Sequence, residues 1–191
     1  MRLLHIDSSI LGGQSASRVL THEIVAQWQQ RHPDLQVQYL DLAVQDLPHL
    51  SGAALGGQLE TECERNARTL EDFLRADVVV IGAPTYNFAI PSQLKAWIDR
   101  IAVAGRTFRY TASGPQGLAG GKRVIVALSR GGVHSPGAPG EFVESYLRHL
   151  FGFLGIDTVT FVRAEGLSLS AEHRKASLST ALGEAPLAVA A

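Results

Sequence analysis

A single cysteine, Cys63, among 191 residues rules out an internal disulfide and any metal site built from several thiolates. Its neighbours Glu62 and Glu64 oppose thiolate formation, so it reads as an incidental thiol. No apolar run approaches the roughly 18 residues needed to cross a bilayer. The N-terminus, with Arg2, a short apolar stretch and then Asp7, makes a poor secretory leader, so a cytoplasmic protein without membrane contact is expected. Charge of one sign is also missing. Seventeen Lys plus Arg stand against 18 Asp plus Glu, a formal net charge of −1, and no basic stripe marks a nucleic-acid binder. The seven histidines (His5, His22, His32, His49, His134, His149, His173) are scattered, with no HExxH pair and no cysteine partner, so no metal is expected. A GxSxG nucleophile elbow is absent, which argues against a serine hydrolase.

What is present is a 46% hydrophobic chain, enough for one core, in which apolar runs alternate with helical patterns. Leu3 to Ile6 reads as a first strand. A helix follows from residue 16 to about 32, with Leu20, Ile24 and Trp28 on one face, stopped by Pro33. Val37 to Asp41 alternates, as a less covered strand should. Residues 43 to 60, with Pro48, Gly52, Gly56 and Gly57, read as a surface excursion. A helix over about 61 to 75 turns Leu70, Phe73 and Leu74 inward. Val78 to Ile81 is a β-branched run suited to burial on both faces. Pro91 opens a helix carrying Leu94, Ile98 and Ile101, which Gly105 should close. Val124 to Leu128 is a further buried strand. A helix from about 139 to 154 aligns Phe142, Tyr146, Leu150 and Leu154 and ends at Gly155. Thr158 to Val162 is a fifth strand, and residues 170 to 183 form a last helix before a frayed tail. Five strands separated by helices imply an α/β fold with one parallel sheet covered on both faces, a single domain over residues 1–191. A truncated dinucleotide-binding order and the flavodoxin order 2-1-3-4-5 compete; the alternating Val37–Asp41 strand suits the edge position of the latter.

Three unusual loops follow strand ends. The first runs from Asp7 to Ser17. A phosphate there would meet unpaired N–H groups and the positive end of a helix, with Ser9, Ser15 and Ser17 beside Ala16 supplying further donors. Taken alone, it is equally well a serine-rich turn in which Ser15 caps the helix. It is neither a Walker A loop nor a GxGxxG fingerprint, so nucleotide triphosphate hydrolysis is not expected. The second loop holds Pro84, Thr85, Tyr86, Asn87 and Phe88, bracketed by Pro91. Tyr86 and Phe88 suit an apolar wall for a flat ring such as a flavin, with backbone donors near Asn87. The third is Ser129, Arg130, Gly131 and Gly132, where two glycines let a ring approach the main chain and N–H groups stabilise negative charge on it. Gly-Gly after a strand is by itself only a turn signal. In the flavodoxin order the first, third and fourth strands are neighbours, so all three loops open onto one crevice.

These motifs resemble the FMN-dependent NADH-azoreductases, bacterial relatives of the flavodoxin-like NAD(P)H:quinone oxidoreductases. The resemblance is carried by Ser8-Ser9-Ile10-Leu11 with Ser15-Ala16-Ser17, by Ala83 to Phe88, and by Ser129 to Gly132. Gln93-Leu94-Lys95, Thr107 to Thr111 and Ala164-Glu165-Gly166 extend it, in one order from about residue 3 to 166. It implies FMN as cofactor, NADH or NADPH as co-substrate, and quinones or azo compounds reduced by ping-pong hydride transfer through flavin N5, with no amino acid acting as the catalyst. It further implies that Ser9 and Ser15 to Ser17 hold the phosphate, that Thr85 to Phe88 line the ring, and that Ser129 to Gly132 border its pyrimidine side. A homodimer with flavin sites at the interface is implied too. Tyr110 and His134 are candidate substrate-pocket residues. The chain departs from the family pattern at Thr85, where many members carry Met, and in a shorter segment over residues 50 to 63. An FMN-binding electron carrier without substrate turnover is the alternative, but such carriers are usually markedly acidic and a net charge of −1 does not suit one.

Overall fold

The computed structural model describes residues 1–45, 47–55, 60–134 and 139–190. In chain order its elements are β1 (Arg2–Asp7), α1 (Ala16–Arg31), β2 (Gln36–Asp41), α2 (Gly52–Leu55), α3 (Glu60–Arg75), β3 (Val78–Pro84), α4 (Ser92–Ile101), β4 (Phe108–Thr111), β5 (Gly114–Gly117), β6 (Arg123–Ser129), α5 (Val143–Phe153), β7 (Thr158–Ala164) and α6 (Ala171–Ala190). Five strands pair in parallel in the order β2-β1-β3-β6-β7, which is the expected 2-1-3-4-5 of the main strands. Every residue of β3 is buried, because alternate side chains enter two separate cores. Val79 and Ile81 pack with Phe73, Trp97, Leu147 and Phe151 on the side of α3, α4 and α5. Val78 and Val80 pack with Leu20, Ile24, Trp28 and Ala181 on the side of α1 and α6. Full burial of Leu20 or Ile24 contributes on the order of 1.5–3 kcal/mol each. β2 lies at the sheet edge, as its alternation requires, with Gln36, Gln38 and Tyr39 exposed.

Several boundaries differ from the sequence expectations. The helix opened by Pro91 ends at Ile101, not Gly105; Gly105 instead takes φ +78° and donates its N–H to the Phe108 carbonyl at 2.8 Å. That turn starts an antiparallel hairpin, β4–β5, which the sequence did not reveal. Its strands are short, mostly exposed and glycine-bounded, so they carry no strong period. α5 starts at Val143 rather than near 139, which leaves Phe142 exposed ahead of the helix instead of on its inward face. Gly155 does close α5, at φ +86°. The surface excursion contains the single turn α2, and its Gly56 and Gly57 lie outside the described residues. α6 continues to Ala190, past the fraying expected after residue 183. Among the described residues no helix is long and apolar enough to cross a membrane.

The hairpin docks through the Phe108 ring, 4.6 Å from that of Phe153, and through a close backbone contact. A Cβ on Gly117 would overlap the main chain of Leu154 and Gly155, whereas one on Gly152 would meet nothing within 4 Å. Gly117→Ala should therefore destabilise by about 1–3 kcal/mol through overpacking, while Gly152→Ala, on a helix, should stabilise by about 0.5–1 kcal/mol. Urea unfolding of the two variants beside the parent checks both signs.

Candidate functional site

Parallel register brings the strand ends level. Asp7 pairs with both Asp41 and Gly82, and Pro84 pairs with Ser129. The first loop leaves β1 through Ser8, whose hydroxyl donates to the Gly82 carbonyl at 2.6 Å. Ser9 Oγ lies 3.1 Å from the Tyr86 hydroxyl, and that hydroxyl also accepts from the Ile10 N–H at 3.3 Å, so the first two loops are bonded together. Ser15 caps α1 by accepting the Arg18 N–H at 3.3 Å and shares a 3.0 Å hydrogen bond with Ser17 Oγ. The cap does not use the N–H groups of Ala16 and Ser17, which remain at the positive end of the helix.

The second loop turns sharply at Tyr86–Ala89. Tyr86 and Ala89 exchange both N–H···O bonds, at 2.9 and 3.0 Å, around Asn87 at φ +48° and Phe88 at φ +67°. Two consecutive left-handed residues make a type I′ turn, and neither is glycine. Such residues cost of order 1–3 kcal/mol each, so the surrounding structure must hold them. The turn's own bonds leave the N–H groups of Asn87 and Phe88 unused, and the Phe88 ring is 60% exposed.

The third loop is fastened on its far side. Thr85 N–H donates to the Ser129 carbonyl at 2.8 Å. The carbonyls of Arg130, Gly131 and Gly132 accept from Leu167, Ser168 and Gly166, so this loop and the one after β7 move as one piece. Gly131 has no room for a side chain, since a Cβ would lie 2.6 Å from Ser168 Oγ. The Arg130 guanidinium is buried, 3.0 Å from Glu165 and 3.6 Å from Glu141. Glu141 in turn accepts the Glu144 N–H at 2.9 Å, tying the loop to the start of α5.

Beneath the first loop lies a polar cluster. Arg18 grips Asp41 with two bonds of 2.7 Å and donates to the Ser9 carbonyl at 2.9 Å. The Arg18 fork holds the Asp41 carboxyl below its ordinary value. For Asp7, burial favours the neutral acid, but the His5 imidazole 3.6 Å away, with hydrogen bonds from Thr21 and Tyr39, outweighs it and keeps its carboxyl low. Burial, aided by the charge of Asp7, pushes the Tyr39 hydroxyl up to about 12.

The three loops share a cavity of about 320 Å³ lined by Ser9, Ser15, Ala16, Pro84, Thr85, Tyr86, Ser129, Arg130 and Gly131. That size lies within the usual range for small-ligand sites. Leu11, Leu167, Ser168 and Arg174 complete the lining and were not among the expected site residues. Gly166, at φ +67°, was the available signal for that fourth loop. Arg174 also donates to the Gln14 carbonyl at 2.8 Å, closing α6 onto the first loop. Ser17 is buried behind Ser15 rather than at the cavity wall, and Asn87, Phe88 and Gly132 lie outside the lining. His134 sits at the rim; a Cβ on Gly140 would lie 3.5 Å from the Phe88 ring and 3.7 Å from that of His134. Tyr110 is on the hairpin, 76% exposed, its ring packed edge-on against Phe108, and does not line the cavity. The histidines are not all scattered in space, because the fold gathers His5 and His22 beside Asp7.

Comparison with known proteins agrees with this geometry. A family described as having a flavodoxin-like fold matches residues 1–186. The chain is 55% identical over 182 residues to the FMN-dependent NADH:quinone oxidoreductase 1 of Xanthomonas euvesicatoria pv. vesicatoria (strain 85-10), covering 95% of this chain and 93% of that one. It superposes on an azoreductase from Bacillus anthracis str. Sterne with a TM-score of 0.90 at 30% identity, covering all of both chains. An FMN-dependent NADH-azoreductase from Bacillus anthracis str. Ames Ancestor, solved in complex with FMN, gives 0.86 at 25% identity, covering 99% of this chain and 100% of that one.

Two consequences can be measured. Asn87→Val places a β-branched residue at positive φ and should destabilise by about 1–3 kcal/mol in urea unfolding; an unchanged midpoint would mean the turn carries no strain. Asp41→Asn should destabilise by about 1–3 kcal/mol at neutral pH. Because the folded Asp41 carboxyl titrates below its unfolded value of 3.8, that contribution is complete above about pH 4 and fades as pH falls through the folded value. The difference between parent and variant should therefore shrink in acid, and a constant gap would refute the ion-pair account.

Proposed function

The chain belongs to the flavodoxin-like fold family, whose match spans residues 1–186, and from that premise we propose that it is an FMN-dependent NADH:quinone oxidoreductase that also reduces azo compounds. The observation that carries this reading is the convergence of the β1, β3 and β6 loops on one cavity at the start of α1. The residues present fit FMN. Thr85 Oγ1 is buried at that wall without a hydrogen-bond partner, an unmet need that a polar ligand edge would satisfy. When bound, the flavin supplies the redox chemistry between nicotinamide and acceptor.

The protein's part is to bind, orient and tune. Ser9, Ser15 and the N–H groups of Ala16 and Ser17 take the phosphate at the start of α1, where the helix end favours negative charge without a lysine. Tyr86 lines the ring site, and Asn87 and Phe88, just outside the lining, would border a bound ring with the turn's unused N–H groups as donors. Gly131 in the lining, with Gly132 next to it, would offer amides to one edge of a bound ring, where such donors favour negative charge. Arg130 acts from behind by fixing this loop, since its charge is matched by Glu141 and Glu165. No amino acid is assigned as a catalytic acid; protons would come from solvent or from the flavin itself.

The reading includes one domain and a homodimer. Ile10, Leu11, Phe88, Val133 and Phe142 are large, apolar and exposed at the end of the sheet where the cavity opens, a surface that a second copy would cover. Tyr110, pointing away from its own chain's cavity, would meet an acceptor only in such an assembly. His134, beside Phe88, is placed to border the acceptor.

The purified protein should carry FMN and oxidise NADH steadily when menadione is supplied. FMN binding without turnover would indicate an electron carrier, and no heat on titrating FMN into the apoprotein would sink the proposal. Thr85→Val, which removes the unbonded hydroxyl at constant shape, should raise apoprotein stability and weaken FMN binding about 3–10-fold; unchanged affinity would mean that the hydroxyl does not touch the cofactor.

A further inference from the structure

We propose that His5, Asp7 and His22 form a binding site for a late first-row divalent cation, Zn²⁺ foremost, on the α1 side of β1. Strand alternation places His5 and Asp7 on one face of β1, and α1 crosses that face carrying His22. One ligand atom from each of the three lies within 4.8 Å of the others. His5 Nε2 is already 3.6 Å from Asp7 Oδ2.

Two independent observations mark these side chains as ligands. His5 is only 4% exposed, yet its Nε2 has no hydrogen-bond partner. A buried ring nitrogen left this way needs a proton acceptor, a water or a metal ion. His22 Nδ1 lies 2.8 Å from the Arg18 carbonyl. A carbonyl only accepts, so Nδ1 carries the proton and the Nε2 lone pair is free, the arrangement by which metal-binding histidines are usually oriented. Asp7 has matching support, since Oδ1 accepts from Thr21 at 2.8 Å and Oδ2 from Tyr39 at 3.0 Å.

The nearby Arg18 guanidinium, 3.6 Å from Asp7, does not cancel the site, because two 2.7 Å bonds match it to Asp41. Two imidazoles and one carboxylate suit zinc and its neighbours rather than magnesium or calcium, which prefer all-oxygen sets. Metal–ligand bonds of about 2.0 Å put tetrahedral ligands roughly 3.3 Å apart; the exposed His22 ring closes the remaining gap by a small rotation. A cavity of about 1070 Å³, lined in part by His5, His22, Arg18 and Asp41, gives the ion access and leaves room for a water as fourth ligand. None of the three ligands lines the 320 Å³ cavity; Ser9 and Ser15 border both spaces, so the ion would sit beside the proposed phosphate site and outside the flavin pocket. A bound ion would cross-link β1 to α1 on either side of the first loop.

The test uses the purified protein, freed of metal with a chelator and titrated with Zn²⁺ by calorimetry, together with thermal unfolding. One Zn²⁺ should bind per chain and raise Tm, with little response to Mg²⁺. His22→Ala, a surface change, should weaken Zn²⁺ binding at least about 10-fold and abolish the Tm increase while leaving the circular dichroism spectrum unchanged. His149→Ala, an exposed histidine elsewhere, should bind as the parent does. Absence of saturable binding, equal affinity in His22→Ala, or an equal loss in His149→Ala would overturn the site.

Discussion

The register of three parallel strands governs everything at this end of the molecule. β1, β3 and β6 are paired so that Asp7, Gly82 and Ala127 stand side by side. A shift of one residue in any pair would turn the buried Val and Ile side chains to the wrong face and carry its loop out of reach. The two cores that sandwich β3 enforce that register, since Val79 and Ile81 belong to one and Val78 and Val80 to the other. Close packing far from the cavity thus sets the positions of loops whose own apolar side chains, such as Ile10, Leu11 and Phe88, are exposed and add little to the core.

On that frame the loops are bonded to one another more than to the strands. Ser9 meets Tyr86, Thr85 meets Ser129, and Arg130, Gly131 and Gly132 meet the segment after β7. Arginines serve as struts: half-buried Arg18 between the first loop and β2, buried Arg130 between the third loop and the segment before α5. A guanidinium suits this use because its fork pairs with carboxylates in fixed geometry and its charge persists at every accessible pH. The result is a set of preformed donors around an open volume, which lowers the ordering cost when a ligand enters.

Much of this was legible from the residues. The continuous β-branched run Val78–Ile81, the helical stripe Leu20, Ile24, Trp28 and the alternating Val37–Asp41 segment each pointed to one environment, and the last favoured the edge position that the observed strand order has. The three loops stood out because Pro, Gly, Ser and aromatics cluster at strand ends. What stayed hidden had no local signature. The hairpin Phe108–Gly117 owes its place to a backbone contact with Gly155 rather than to a pattern of its own. Leu167, Ser168 and Arg174 join the cavity through a fourth loop, and the His5–Asp7–His22 cluster unites a strand with a helix; both are products of tertiary packing. Arg130 was expected beside the ligand; it lines the cavity, but its charge is spent on Glu141 and Glu165.

The docking of the hairpin at Gly117 and Gly155 has a bearing on how such a chain diversifies. Since two bare main chains touch there, neither position tolerates change unless its counterpart retreats, and the pair acts as a fixed rivet. The outward rim between Thr111 and Gly114 has no such restraint. Descendants of this sequence can therefore rewrite what the hairpin displays, residue by residue, while its anchorage to the sheet stays where it is.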